Sequence, residues 1–351
     1  MTKTPPKPAN KTKAKPRTAT AKAKPAGKAK PAKAQSATPK PAATKLPPKP
    51  KAVPETRAGF VAIVGAPNAG KSTLLNRLVG QKISITSPKP QTTRMRITGV
   101  MTEGAVQIGF VDTPGIFAPK RRLDHAMVQA AWGALDSADA IILLVDASLR
   151  HDTKTDAIIA ELQRQKRQVA LVLNKVDTVQ KSALLPLAAR LHEAGIFDAV
   201  FMISAMDGDG VNDLKHYLGA RMPKGPWFFG EDQLSDLPTQ LLAAEITREQ
   251  LFRQLQQELP YGATVVPEKW ENRADGSATL HQSIVIERAT HRPMVLGKGG
   301  ARIKQIGEAA RRDLERFLGH RVHLFLDVKC DEKWQDRPEF YRMFGLEFAK
   351  Q

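Results

Sequence analysis

Residues 60–72 read Phe-Val-Ala-Ile-Val-Gly-Ala-Pro-Asn-Ala-Gly-Lys-Ser. The apolar run at 60–64 suits a buried strand. The next eight residues carry a glycine-bounded spacing in which successive backbone N–H groups can face one anion at the start of a helix. Gly65, Ala66, Pro67, Asn68, Ala69 and Gly70 would form this cradle, Lys71 would reach the β and γ phosphates of a nucleotide, and Ser72 would place its hydroxyl on Mg²⁺, with Thr73 closing the nucleotide-binding run. Residues 72–79 continue as a helix with Leu74, Leu75 and Leu78 on one face.

Working outward, short apolar runs alternate with helical patterns. Strands are expected at 95–101, 105–111, 140–145, 168–173 and 199–203, and helices at 123–137, 152–166, 181–194 and 211–220. This is an α/β domain over 58–222: a phosphate-loop nucleotide-binding domain with a mostly parallel six-stranded sheet and flanking helices. The antiparallel exception is a hairpin through Glu103 and Gly104. Pro223, Gly225, Pro226 and Trp227 interrupt the pattern and mark a linker at 223–238. A second, α+β domain then occupies 239–351, with a helix at 239–258, strands at 263–270 and 280–287, a turn at 297–300, a helix at 302–318 and a strand at 322–328.

A length of 351 residues accommodates two domains with separate cores. Of the net charge of +19, most sits in residues 1–57, which hold sixteen Lys or Arg against one acid, Glu55. This Lys-, Pro- and Ala-rich tail has too few large apolar side chains to offset the entropy of ordering, so disorder is expected, with a salt-sensitive attraction to RNA phosphates or anionic lipid. It lacks the Arg-rich amphipathic pattern of a transit peptide. No run reaches the roughly 18 apolar residues of a membrane span. The single cysteine, Cys330, excludes an internal disulfide framework, fits a reducing compartment and reads as a small buried residue. A cytoplasmic monomer is expected.

Base selection is written in Asn174, Lys175, Val176 and Asp177, after an apolar strand. A carboxylate at Asp177 can accept from both N1–H and the exocyclic amine of guanine, whereas adenine offers an acceptor at N1 and no amine beside it. Asn174 would hold the loop and contact the base, and the Lys175 stem would cover its face. Asp112, Thr113, Pro114 and Gly115 end another strand; there the carboxylate can orient Mg²⁺ and the Gly115 N–H can sense a γ-phosphate. Ser204 and Ala205, after the strand at 199–203, would support the guanine edge through the backbone.

These residues, with Gln91-Thr92-Thr93-Arg94 upstream, resemble the Era family of GTPases over roughly 57–351. The resemblance implies that one of the two threonines closes over Mg²⁺ when GTP is present: Thr93, with Thr92 as the alternative. It makes Lys71, Thr93, Asp112 and Gly115 the catalytic set and Ser72, Thr93 and Asp112 the Mg²⁺ ligands. Ile116 stands where Ras-like enzymes carry a water-orienting Gln, so slow intrinsic hydrolysis is expected. Asn68 is the candidate ligand for a K⁺ ion that neutralises developing phosphate charge.

Residues 297–300 read Gly-Lys-Gly-Gly ahead of a helix from Arg302, in an order of elements that resembles a type II KH domain. That fold grips about four nucleotides of single-stranded RNA between a glycine loop and an apolar groove. The RNA-binding set is Gly297, Lys298, Gly299, Gly300, Arg302 and Lys304. Val295, Leu296, Ile303 and Ile306 are either groove wall or core, and Trp334 is expected in the core. Era proteins usually place lysine third in this loop, whereas here Lys298 is second. The resemblance implies GTP-driven ribosome assembly, with small-subunit (16S) rRNA near its 3′ end and the 30S subunit as partners, and peripheral contact with an anionic membrane. A tRNA-modifying GTPase would need a long helical domain and a C-terminal catalytic Cys motif that this sequence lacks. An RNA chaperone with purely structural nucleotide binding would show no GTP turnover.

Overall fold

The computed structural model describes residues 55–149, 151–256 and 258–348. The expected disordered tail at 1–57 therefore lies almost wholly outside the described residues.

The first domain is a six-stranded sheet in the order β2-β3-β1-β4-β5-β6. Its strands are β1 (Arg57–Val64), β2 (Ile97–Glu103), β3 (Val106–Asp112), β4 (Ala140–Asp146), β5 (Val169–Asn174) and β6 (Phe197–Ile203). Only β2 pairs antiparallel, turning into β3 through Gly104, while β3, β1, β4, β5 and β6 run parallel. Helices α1 (Lys71–Val79), α2 (Arg122–Asp136), α3 (Thr153–Arg164), α4 (Leu184–His192) and α5 (Val211–Arg221) cover the two faces. The central strands are apolar on both sides, as a sheet clad by helices requires: Val61 and Ile63 enter one core cluster, Ala62 and Val64 the other.

Residues 223–238 do not hang free between domains. Phe228 stacks on Phe60 at 5.2 Å between centroids, and Gln107 receives the N–H groups of Phe228 and Phe229 at 2.9 Å. The Val100 N–H donates to Leu234 at 2.9 Å, so this segment pairs with the backbone of β2 at the sheet edge.

The second domain opens with α6 (Thr239–Gln254), shorter than its sequence pattern suggests. A three-stranded sheet follows in the order β7-β8-β9, from β7 (Ala263–Asn272), β8 (Ala278–Ile286) and β9 (Val322–Cys330), with β7/β8 antiparallel and β8/β9 parallel. Between β8 and β9 lie α7 (Arg292–Leu296) and the long α8 (Ala301–Leu318). Helices α6 and α8 pack on one sheet face through Leu251, Leu314 and Ile306. On the other face, Val285 meets Trp334 and the short α9 (Pro338–Phe344), and these join the apolar cluster of the first domain through residues such as Leu123 and Met127. Among the described residues no helix is long and apolar enough to cross a membrane.

Candidate functional site

The glycine loop leaves β1 and enters α1 where β1 lies between β3 and β4. Gly70, at φ +100°, is required twice over: the conformation is left-handed, and a Cβ there would stand 2.3 Å from the Asn174 amide nitrogen. The Lys71 ammonium is only 6% exposed and donates to the carbonyls of Gly65 (3.1 Å) and Ala66 (3.0 Å). Burial lowers its pKa to about 8, an effect partly opposed by the nearby Asp112 carboxylate.

Asp112, at the end of β3, is fully buried; its Oδ2 accepts from Ser72 Oγ and Ser84 Oγ, each at 2.8 Å. Burial raises its pKa, with the Lys71 charge pulling the other way. Thr93 Oγ1 lies 2.9 Å from Ser72 Oγ. Three hard oxygen donors thus converge beside the cradle, and Asp112 Oδ1 is buried with no hydrogen-bond partner. This donor set fits Mg²⁺, which prefers a carboxylate and hydroxyls together with phosphate and water. The two threonines divide cleanly: Thr92 Oγ1 donates to the Lys89 carbonyl at 2.8 Å and is spent within its own loop. Thr113 Oγ1 donates to the Ile63 carbonyl at 2.9 Å and fixes the Asp112–Gly115 turn on β1. The Ile116 side chain is buried in the apolar cluster over β1 and β4, so it offers no group to water.

The segment Asn174 to Asp177 starts on the last residue of β5. Asn174 is a brace: its amide donates to the Ala69 carbonyl (2.8 Å) and its oxygen accepts from the Ala205 N–H (2.9 Å), joining three loops. The Lys175 ammonium pairs with Asp146 at 2.5 Å, which holds its stem along the cleft, and Asp177 is exposed on a 3₁₀ turn, Val176–Thr178. Arg77 of α1 donates to the Ala205 carbonyl at 3.2 Å, a further tie to this loop for which the sequence offers no signal. A cleft of about 1060 Å³ is lined by Pro67, Asn68, Lys71, Ser72, Thr93 and Lys175. Arg253 of α6 also lines it, so the second domain supplies part of the wall.

The second glycine loop joins α7 to α8 as a 3₁₀ turn, Lys298–Gly300. Lys298, Arg302 and Lys304 are exposed. Of the apolar residues around them, Val295 and Ile306 are fully buried core, whereas Leu296 and Ile303 are partly exposed and pack against that core. Trp334 is core as well, 0% exposed, with its ring N–H donated to the Gly262 carbonyl at 3.1 Å.

A family model described as 50S ribosome-binding GTPase matches residues 60–175, and a KH domain model matches residues 258–335. GTPase Era of Erythrobacter litoralis is 52% identical over 299 residues, spanning 84% of this chain and 98% of that protein. GTPase Era of Rhizobium meliloti is 52% identical over 299 residues, or 85% of this chain and 95% of that protein. The chain belongs to the Era family of GTPases. A crystal structure of Era in complex with MgGDPNP and nucleotides 1506–1542 of 16S ribosomal RNA is similar at a TM-score of 0.78 and 38% identity, covering 83% of this chain and 99% of that one. A point variant of Aquifex aeolicus Era bound to GDP·AlF4⁻ gives 0.77, with 38% identity over 83% and 99%.

This Era-family GTPase corrects one reading of the sequence. Cys330 is exposed, because β9 is an edge strand and Cys330 is its last residue. It also contains a feature that local sequence could not supply. The segment from Lys82 to Arg94 runs along α6 of the KH domain: Lys82 pairs with Glu249, Lys89 donates to the Leu255 carbonyl at 2.9 Å, and Arg94 reaches the carbonyls of 260–263.

Proposed function

We propose that this GTPase is a ribosome-assembly factor that binds the 3′ end region of 16S rRNA through its KH domain and couples nucleotide state to maturation of the 30S subunit. The carrying observation is that a nucleotide cleft and a glycine clamp occupy one chain that covers nearly the whole of the RNA-bound Era structure. A KH domain recognises single-stranded RNA by close backbone approach and base stacking.

In this reading Lys71 leaves the loop carbonyls for the β and γ phosphates, and the Gly115 N–H meets the γ-phosphate. Asp177 accepts from the guanine edge while Asn174 and Ala205 keep the base loop in register. Ser72 and Thr93 hold Mg²⁺, with Asp112 orienting it. When bound, Mg²⁺ would neutralise charge on the phosphates. Asn68 is the candidate K⁺ ligand; its amide donates to the Pro88 carbonyl at 3.0 Å, which leaves its oxygen as the group that would meet a cation. Ile116 leaves water positioning incomplete, so basal turnover is slow and rises with K⁺ or bound RNA.

At the clamp, the glycine backbone of 297–300 allows close approach of the RNA backbone, and Lys298, Arg302 and Lys304 meet phosphates. A cytoplasmic monomer with peripheral contact to anionic membrane completes the proposal, the membrane contact resting on the basic tail. Crosslinking in cells followed by sequencing of attached RNA tests the partner. Enrichment at the 16S 3′ end is expected, and recovery of tRNA or mRNA without it overturns the assignment. GTP turnover unchanged by RNA, or by exchanging K⁺ for Na⁺, would separately remove the coupling or the ion.

A further inference from the structure

Residues 92–94 face two ways. Thr93 turns its hydroxyl to Ser72 at the ion site, 2.9 Å away. The carbonyl of Thr92, one residue before, accepts from Arg248 of α6 at 2.6 Å, across 156 positions of sequence. Arg94, one residue after, donates to the carbonyls of Ala263 (2.7 Å), Tyr261 (2.8 Å) and Pro260 (3.1 Å), which lead into β7 of the KH domain. The threonine is therefore held between two anchors, both fixed on the RNA-binding half of the molecule.

Both guanidinium groups are out of solvent, Arg94 at 3% exposure and Arg248 at 0%. Arg94 lies over the rings of Phe252 (5.6 Å) and Trp334 (5.4 Å), and Arg248 lies over Phe252 at 5.1 Å. Glu245, at 2.7 and 2.5 Å from Arg248, is the carboxylate that pairs with it. Burial, then repulsion from Arg248, lowers the Arg94 pKa to about 9, so it remains a cation at neutral pH. A buried guanidinium stripped of its partners costs several kcal/mol. If residues 92–94 moved as a unit, Arg94 would lose its three carbonyls and Arg248 the Thr92 carbonyl. The seam is thus built to hold one register or leave it, with little tolerance between.

We propose that Arg248 and Arg94 are positioning residues for GTP hydrolysis: by clamping Thr92 and Arg94 to the KH domain they keep the Thr93 hydroxyl at the ion site, so KH-domain placement sets the catalytic competence of the first switch. This rests on the reading of Thr93 as the switch threonine that meets the ion. The KH half would act as an internal activator, reached from an arginine in a helix outside the nucleotide-binding fold. By reciprocity of linkage, GTP would in turn stabilise the docked KH domain.

The test is a double-mutant cycle on the full chain, reading kcat for GTP and the dissociation rates of fluorescent GTP and GDP. Arg248→Met should lower kcat about tenfold, in the range of coupling mutations, with Arg248→Lys recovering part of the loss. It should speed GTP release while leaving GDP release unchanged, because Thr93 meets the ion only when γ-phosphate is present; a general loss of structure would speed both. Combined with Thr93→Ala, Arg248→Met should cost nothing further. Multiplying effects would overturn the relay, as would an unchanged kcat in a folded Arg248→Met protein. An unchanged kcat in Thr93→Ala alone would instead remove the reading on which the relay rests. Lys89→Ala, at a half-buried site on the same seam, provides a milder variant should Arg248→Met fail to fold. It should lower kcat and speed GTP release in the same sense, again without added loss on Thr93→Ala, and an additive loss there would equally overturn the proposal.

Discussion

The two glycine loops of this protein differ in how closely their surroundings enclose them. The loop at 65–70 is enclosed: Asn174 braces it, Lys71 is folded onto its carbonyls, and a Cβ at Gly70 would collide with a neighbour. The loop at 297–300 is open at its tip: nothing lies within 4 Å of a Cβ built on Gly299 or Gly300, and Lys298 is exposed, while only a Cβ on Gly297, at the base, would stand 2.7 Å from Arg302 Cβ. A phosphate cradle must hold one small anion in fixed geometry, so its tolerance is imposed by surrounding elements. An RNA clamp must admit a chain from solvent, so only its backbone is prepared. Enclosure is the difference, and it predicts where substitutions hurt.

The largest contrast is expected within the closed loop. Lys71→Met should lower kcat by about 10²–10³-fold, the usual loss for one preorganised charge-stabilising donor, and Gly70→Ala should abolish nucleotide binding and lower the melting temperature. Gly299→Ala should cost only about 1 kcal/mol for its left-handed conformation and leave GTP binding intact. GTP turnover checks the first and isothermal titration with thermal melts the other two; a Gly70→Ala protein with normal GDP affinity would break the comparison. Next in size, Asp177→Asn should weaken GDP binding roughly 10²-fold, since two hydrogen bonds to a charged group are lost, while gaining xanthine nucleotides, measured by competition.

For the open loop, Lys298→Asp together with Gly299→Asp should weaken RNA binding by about tenfold and flatten its salt dependence, with a melting temperature no lower than that of Gly299→Ala. A further fall in stability would mean that this loop too is enclosed by contacts. The smallest effect sharpens the closed side. Nucleotide phosphate beside Lys71 raises its pKa from about 8, so binding takes up a proton between that value and the higher pKa of the complex. Calorimetry near pH 8.5 in buffers of different ionisation enthalpy should show uptake of more than half a proton, falling toward zero for this group well below pH 8.

Much of the fold was readable because apolar periodicity is local. The β strands around the cradle, the hairpin at Gly104 and the KH order of helices and strands follow from runs of side chains that must face helices. The ends were less legible. The pattern of α6 continues to 258, yet the helix stops at Gln254, where the chain turns toward the loop that receives Arg94. Residues 223–238 look like a linker by their Pro and Gly content. Their aromatic residues were the available signal that they pack, and Phe228 does so on Phe60. Cys330 is exposed although its residue type favours burial, because it is the last residue of the edge strand β9, a position that residue type alone does not encode.

By itself the sequence determined the phosphate cradle, the guanine preference and the presence of a clamp, because each depends on a few consecutive residues and on backbone geometry that glycine and the following helix dictate. Tertiary structure decided the rest. Thr92 and Thr93 are chemically alike and adjacent, and only the folded chain turns one hydroxyl to the Lys89 carbonyl and the other to Ser72. Likewise Arg94 and Arg248 acquire a purpose only when folding brings the switch against α6. The physical reason is that a side chain's partners there come from more than 150 positions away, and no local pattern encodes a contact at that range.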